Sequence, residues 1–497
     1  AAYDAMIAGT TGGHLVADAK APADDAEGLP NLPYRVYYPE GYANSRAFTF
    51  LPLVNGNTEA IRVVVIARYE GTAAFDVLYD SKTDTAEGFI APNKRDGITL
   101  TTPTNFAAGT ADRVKSDVAN ATTMEPRNGV LKNTPYAIEV RASAPVGAIL
   151  SHYDFGISTG DSFTSVLSTD WQLGQGQKGA RINDFIVFYN PSPQEIKVTL
   201  TAYRADGAAP FSTFQYVQAN RRGGWAVNDI PGLANGLYAF RVEAEAPISV
   251  ALTHFDSNTR SGFGTIATAG PGSTSGGTAE GAFGVGAPSE SIGVLNANST
   301  PADVTFTFAF ANGSSFRHQL NVPANRRGTL DVASLVGFPA GQPYAVSYTS
   351  NVPVGVNIAS STAGERVGSA LTSQASTQWL FSEGFRPVSG NAVSEVLKLY
   401  NPSAFDTTVE ITINFNNGES EVFRRTLRSR SGTAIDMFDF VTGTRATVGT
   451  VPGVGSFYGL KVQASVPIVA WALHFDTFLG GGFGTLGTPL GTAGLLA

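Results

Sequence analysis

Apolar and polar residues alternate over short stretches along the whole chain. The segments 197–203 (KVTLTAY), 304–310 (VTFTFAF) and 409–415 (VEITINF) are β-branched and aromatic with partial period-two alternation, the pattern of half-buried strands. Each is followed at once by an Asx-Gly pair, Asp206-Gly207, Asn312-Gly313 or Asn417-Gly418. Such a pair between two strand-like runs predicts a hairpin, because Gly reaches positive φ without a Cβ clash. No stretch keeps a capped 3.6-residue period over ten or more positions. Short strands broken by a turn about every 8–12 residues predict an all-β chain of antiparallel Ig-like β-sandwiches.

Self-similarity sets their number. Tyr189-Asn190-Pro191-Ser192 returns as Tyr400-Asn401-Pro402-Ser403, with weaker forms at Leu295-Asn296-Ala297-Asn298 and Leu53-Val54-Asn55-Gly56. Ala219-Asn220-Arg221-Arg222-Gly223 returns as Ala324-Asn325-Arg326-Arg327-Gly328, with degraded copies at 93–97 and 429–432. A Pro opens an apolar run at Pro145, Pro247, Pro353 and Pro467, at spacings of 102, 106 and 114 residues. Together with the paired Thr169-Asp170-Trp171 and Thr377-Gln378-Trp379, these strings predict four tandem sandwiches at 33–168, 169–272, 273–376 and 377–497. Residues 1–32 form an N-terminal extension, a possible donor strand. The first sandwich carries a polar insertion near 98–132, the fourth a smaller excess near 442–455, and Gly270–Gly277 reads as a flexible linker or long loop between the second and third.

Composition narrows the function classes. The chain has 497 residues, with 55 Gly, no Cys and only 15% charged residues. Without Cys there are no disulfides, thiol nucleophiles or Cys-held metals. A net charge of −8 without basic runs excludes a phosphate-backbone binder, so no nucleic-acid partner is expected. No apolar run is long enough to span a bilayer as a helix.

The sharpest candidates for chemistry are His152-Tyr153-Asp154, His254-Phe255-Asp256 and His474-Phe475-Asp476, each following its Pro; the third sandwich has Ser360 and Thr362 there. Residues i and i+2 of a strand share a face, so each His and Asp could converge on one ion. No sandwich offers a distal partner for its triplet, so the stronger expectation is a structural pair that fixes the following turn, with no metal site. Calcium between sandwiches is left open. The Arg loops, Arg221, Arg222, Arg326 and Arg327, suit bidentate contacts to carboxylates of a neighbouring copy or to anionic glycans, against a plain solvated turn. Gly262-Phe263-Gly264-Thr265 and Gly480–Gly484 lack the helix and Lys of a phosphate loop and read as turns. No Ser/His/Asp set recurs, and no catalytic residue is nominated. An enzyme would need a convergent pocket, sought first in the fourth sandwich at Trp471, His474 and Asp476.

The order Trp…Glu-Gly-Phe, Tyr-Asn-Pro-Ser, Asp-Gly hairpin, Ala-Asn-Arg-Arg-Gly and Pro-Ile-Val-Ala…His-Phe-Asp resembles the tandem β-sandwich repeats of secreted bacterial cell-surface proteins. The resemblance runs from about residue 33 to the end and implies a structural rather than catalytic task. It leads to the expectation of an exported protein, its signal peptide removed before Ala1-Ala2, that serves as the subunit of an extracellular homopolymer, a filament or surface layer. Met6, Ile7, Leu495 and Leu496 join the four arginines as expected subunit contacts, through strand exchange at open sheet edges. The competing expectation is an adhesin or glycan binder with cell-wall or glycan partners.

Overall fold

The computed structural model describes residues 24–495 apart from 115–128, 155, 285–286, 363–364, 388–392, 440–449, 452–454, 478 and 492. Met6, Ile7, Leu496, the middle of the first insertion and most of the excess near 442–455 lie outside the described residues. Strand ladders stay within 34–164, 168–269, 273–372 and 374–495, giving four antiparallel sandwiches with one topology.

Sandwich 2 serves as the type. Its outer sheet orders Phe211–Val217, Ile196–Tyr203, the first half of Ala239–Asp256, and Ser168–Leu173. Its inner sheet orders Arg221–Ala226, Ile182–Asn190, the second half of Ala239–Asp256, and Ser261–Ile266. The 18-residue strand Ala239–Asp256 therefore belongs to both sheets. It pairs with Ile196–Tyr203 as far as Ala244 and with Ile182–Asn190 from Ser249. Pro247 sits between these two ladders, where a residue without an N–H costs no hydrogen bond. The repeated Pro is thus the point at which the chain changes sheet. In sandwich 1 the strand breaks there, into Tyr136–Ala142 and Gly147–Asp154.

Alternation along Ile196–Tyr203 puts Ile196, Val198 and Leu200 into the core and leaves Lys197, Thr199 and Thr201 half-exposed. Trp171 is buried, its indole N–H donating to the carbonyls of Ser168 and Ile248, both at 3.0 Å. Trp379 does the same with Ser376 and Ile468. The Asn of each Tyr-Asn-Pro string is an internal staple. Asn190 Nδ2 reaches the carbonyls of Gln194, Val217 and Gln218. Asn55, Asn296 and Asn401 repeat this on their own loops, each wholly buried. A buried amide that satisfies several loop carbonyls is retained because each orphaned carbonyl would cost about 1–3 kcal/mol.

Three expectations are corrected. Gly270–Gly277 is not a linker, since Ser273–Thr278 is a strand paired with Tyr344–Thr362. The insertion near 98–132 begins later than expected, because Ile98 and Leu100 are core residues of the strand Lys94–Thr101. Of the extension, residues 24–33 form no ladder and pack on sandwich 1 itself, with Leu29 buried against Val64 and Ile66.

Candidate functional site

The four sandwiches do not lie in a row. The last inner-sheet strands, Ile157–Ser162, Ser261–Ile266, Glu365–Ala370 and Gly481–Leu486, pack on one another in cyclic order, the fourth returning to the first. The chain is a closed ring with a pseudo-fourfold axis. The ladders pair His152, His254, Ser360 and His474 with Thr159, Phe263, Val367 and Phe483, and the residue after each of these partners is a glycine, Gly160, Gly264, Gly368 or Gly484, at the axis. A Cβ on Gly368 would lie 2.3 Å from the Phe263 ring of sandwich 2, and one on Gly160 2.8 Å from the Phe483 ring of sandwich 4. Glycine lets these strands approach side to side.

The next residue in each copy forms a polar tier, Asp161, Thr265, Ser369 and Thr485. The N–H of Ile266 donates to Asp161 Oδ2 at 2.8 Å, that of Ala370 to Thr265 Oγ1 at 3.2 Å, and that of Ser162 to Thr485 Oγ1 at 2.8 Å. Thr485 Oγ1 also donates to Asp161 Oδ1 at 2.8 Å. Each of these bonds joins two sandwiches. Four residues beyond each axial Gly stands a threonine, Thr164, Thr268, Thr372 or Thr488. The two tiers and the apolar side chains between them, among them Phe163, Ile266 and Leu486, line a cup of about 290 Å³ at the end of the axis. That is close to the lower bound of small-molecule sites. The buried hydroxyls of Thr268 and Thr488 have no hydrogen-bond partner among the described residues. Asp161 is the acid of its tier, with no basic side chain lining the cup among the described residues. Burial pushes its pKa up to about 7 despite three donors.

The Arg loops seal the ring at its outer seams. Arg222 of sandwich 2 donates to the Pro39 carbonyl and to Glu40 and Glu70 of sandwich 1. Arg326 donates to the carbonyls of Gly207 and Ala208, and Arg327 to Gln175, from sandwich 3 into sandwich 2. Arg95 of sandwich 1 reaches the Ser382 carbonyl at 3.4 Å and Glu383 at 3.7 Å in sandwich 4. Arg222, Arg326 and Arg327, expected to touch a second copy, thus reach a neighbouring sandwich of the same chain. Arg221 leads its strand, with its Nε buried and without a hydrogen-bond partner among the described residues. At the fourth seam the registers place Gly432 where the others have Arg95, Arg222 and Arg327. Its backbone lies against Ala345, and Lys398 pairs with Glu280 instead. The backbone of Leu495 pairs with Gln374 within sandwich 4.

The His-x-Asp triplets do not converge. His152 Nδ1 is 2.8 Å from Thr49 Oγ1, His254 Nδ1 2.6 Å from Asp184, and His474 Nδ1 2.7 Å from Glu395, each directly across the ladder. Asp154 accepts from Asn44, Asp256 from the Asn258 N–H, and Asp476 from the Leu479 N–H. Asp256 and Asp476 shape their own hairpins, Asp154 ties its strand end to the 44–46 turn, and each His holds the strand beside it. Among the described residues no three His, Asp or Glu side chains gather as metal ligands. Burial lowers the His152 pKa. Burial also draws His474 down, but Glu395 and Glu383 outweigh it and push it up to about 9. The cup was missed in the sequence, although its signal is there: Gly-x-x-x-Thr at 160–164, 264–268, 368–372 and 484–488.

No protein-family model matches the chain, and no curated protein matches it. Among solved structures, it is similar to Thermotoga maritima 1070 at 16% identity over 21% of this chain and 97% of that one, TM-score 0.20. It is similar to the Anabaena sensory rhodopsin transducer at 27% identity over 18% of this chain and 97% of that one, TM-score 0.16. A tetra-tandem repeat in the extending region of a large adhesion protein aligns at 11% identity over 89% of this chain and 93% of that one, TM-score 0.10. At these TM-scores none of the three bears on function.

Proposed function

We propose that the chain is a non-enzymatic binding module of an exported surface protein, with the axial cup as its working site for a hydroxyl-rich or amine-bearing small molecule such as a glycan terminus. One observation carries this reading. Asp161 keeps a buried carboxylate, without a cation beside it, at a tier position where the other three sandwiches use a hydroxyl. A carboxylate under unpartnered threonine hydroxyls suits a ligand that brings hydrogen-bond donors. The resemblance of the repeats to those of secreted surface proteins supports the extracellular setting, and no cofactor or nucleic acid enters the reading. Ligand-observed NMR with glucosamine, glucose and glucuronate, which differ by one group, tests it. The expected order is glucosamine, then glucose, with glucuronate excluded, and Asp161→Thr erases the preference. Equal signals from all three, or a preference that survives the substitution, overturn it.

A second reading, the subunit of an extracellular polymer, is favoured by one feature. The outer-sheet strands Phe211–Val217, Ser315–Val322 and Ser420–Leu427 each pair on one side only among the described residues, and Phe214 and Tyr216 are exposed on the first. The ring consumes the head-to-tail contacts within one chain, so any polymer would grow from these edges. Sizing and negative-stain microscopy of the full chain decide it: filaments that Phe214→Lys abolishes support a polymer, and a monodisperse monomer removes it.

A further inference from the structure

The outer face of sandwich 1 shows what such a face can hold. The chain's own segment 24–33 lies on it, with Leu29 packed on Val64 and Ile66. Glu27 pairs with Arg68 at 2.7 Å and Asp25 with Arg141 at 2.6 Å. Both arginines also pair with Glu139 of the sheet, at 3.2 and 2.7 Å, so the segment's two carboxylates complete a charge cluster in which two arginines meet three acids.

Sandwich 3 has the same face with a different surface. The registers make Thr305 and Thr307 the counterparts of Val64 and Ile66, and Ser347 and Thr349 those of Glu139 and Arg141. No described segment covers it. With Tyr400, Pro402 and Arg430 of sandwich 4, it encloses a cleft of about 520 Å³. Arg317 and Arg430 both line this cleft, both are exposed, and neither guanidinium has a hydrogen bond or ion pair among the described residues. Arg430 lies close enough to Tyr400 for its charge to act on the phenol, whose hydroxyl is 3.3 Å from Ser347 Oγ.

The backbone adds an independent observation. Arg430 has φ of 49°, and the equivalent residues of the other three copies are Asn93, Asn220 and Asn325, with φ of 52–54°. Asparagine is enriched in the left-handed region and arginine is not. The fourth copy therefore keeps a strained cation at the mouth of the cleft where its siblings keep the relaxed residue.

We propose that this cleft binds an acidic saccharide, its carboxylate or sulfate held by Arg317 and Arg430 and its hydroxyls by Thr305, Thr307 and Ser347. Hydroxyls in place of the aliphatic Val64 and Ile66 favour a hydrogen-bonding body over a peptide anchored by an apolar side chain, as Leu29 anchors the segment on sandwich 1. In a chain of net charge −8, two unmatched arginines are a local feature rather than part of a basic surface. The site is separate from the axial cup and does not depend on it.

Calorimetric titration of the full chain tests the proposal with four probes: digalacturonate, a sulfated chondroitin disaccharide, neutral cellobiose and sodium sulfate. At least one acidic disaccharide binds, less tightly as salt rises, and the tighter of the two identifies the oxyanion. Cellobiose and sulfate bind at least about tenfold more weakly. Arg317→Gln and Arg430→Asn each weaken binding by about tenfold or more. Arg430→Asn restores the residue of the other three copies and leaves the melting temperature unchanged or higher. Asp161→Thr leaves this binding unaltered, which separates the cleft from the cup. The proposal is overturned if neither acidic disaccharide binds, if cellobiose or sulfate alone binds as tightly, or if both arginine variants bind like the parent.

Discussion

Replacing Asp161 with Thr completes the hydroxyl tier and should stabilise the protein in a pH-dependent way. Burial moves this carboxyl from an ordinary 3.8 to about 7 in the folded chain. The folded state therefore holds the proton more tightly than the unfolded one. The stability this gives is fully present below about pH 4 and is lost as pH rises through 7. A shift of about three units corresponds to about 4 kcal/mol, and above pH 7 the folded protein carries that whole cost. Threonine can take over the main acceptor role, because Thr265 already accepts the Ala370 N–H as Asp161 accepts that of Ile266. In urea unfolding followed by tryptophan fluorescence, Asp161→Thr should differ little from the parent near pH 4. Its advantage should grow through pH 5 and 6 and level off above about pH 7, at up to about 4 kcal/mol. Differences between variant and parent at each pH cancel the titration of the other carboxylates. A difference that is constant across pH, or a variant destabilised at every pH, would refute the argument that an uncompensated carboxylate sits at the axis.

The seams make a second prediction: Arg222→Met leaves Glu40 and the Pro39 carbonyl without their donor and should cost about 3 kcal/mol, read as a lower urea midpoint. At the axis, Gly368→Ala forces a methyl against the Phe263 ring and should cost about 1–3 kcal/mol. Gly179→Ala, with its nearest neighbour at 3.7 Å, is the control and should be neutral or slightly stabilising by calorimetry. His474, raised to about 9 beside Glu395, contributes stability that is full below about pH 6.5 and lost as pH rises through 9. His474→Gln should therefore be most damaging near pH 6, by about 3 kcal/mol, and close to harmless near pH 10 by chemical denaturation.

Much of the fold was legible because local rules carry it. Alternation along 197–203 and the turn at Asp206-Gly207 specify a hairpin whatever lies around it, and Gly207 has the expected positive φ of 90°. The Tyr-Asn-Pro strings announced a repeated element before its part as a carbonyl staple was visible. The Ser273–Thr278 strand was misread because Gly and Ser suggest flexibility, while a partner strand supplied by Tyr344–Thr362 overrides that propensity.

By itself, the sequence determined the β class, the fourfold repetition and the places where strands turn, since these depend on residues near one another along the chain. Only the tertiary structure decided what the repeats do together. Ring closure depends on the angle at which successive sandwiches meet, set by contacts such as Phe263 on Gly368 and Arg222 on Glu40, whose partners stand 105 and 182 positions apart. Four residues spread from Asp161 to Thr485 become one tier only because the last sandwich returns to the first. No local pattern encodes that return, and with it came both the cup at the axis and the open cleft at the fourth seam.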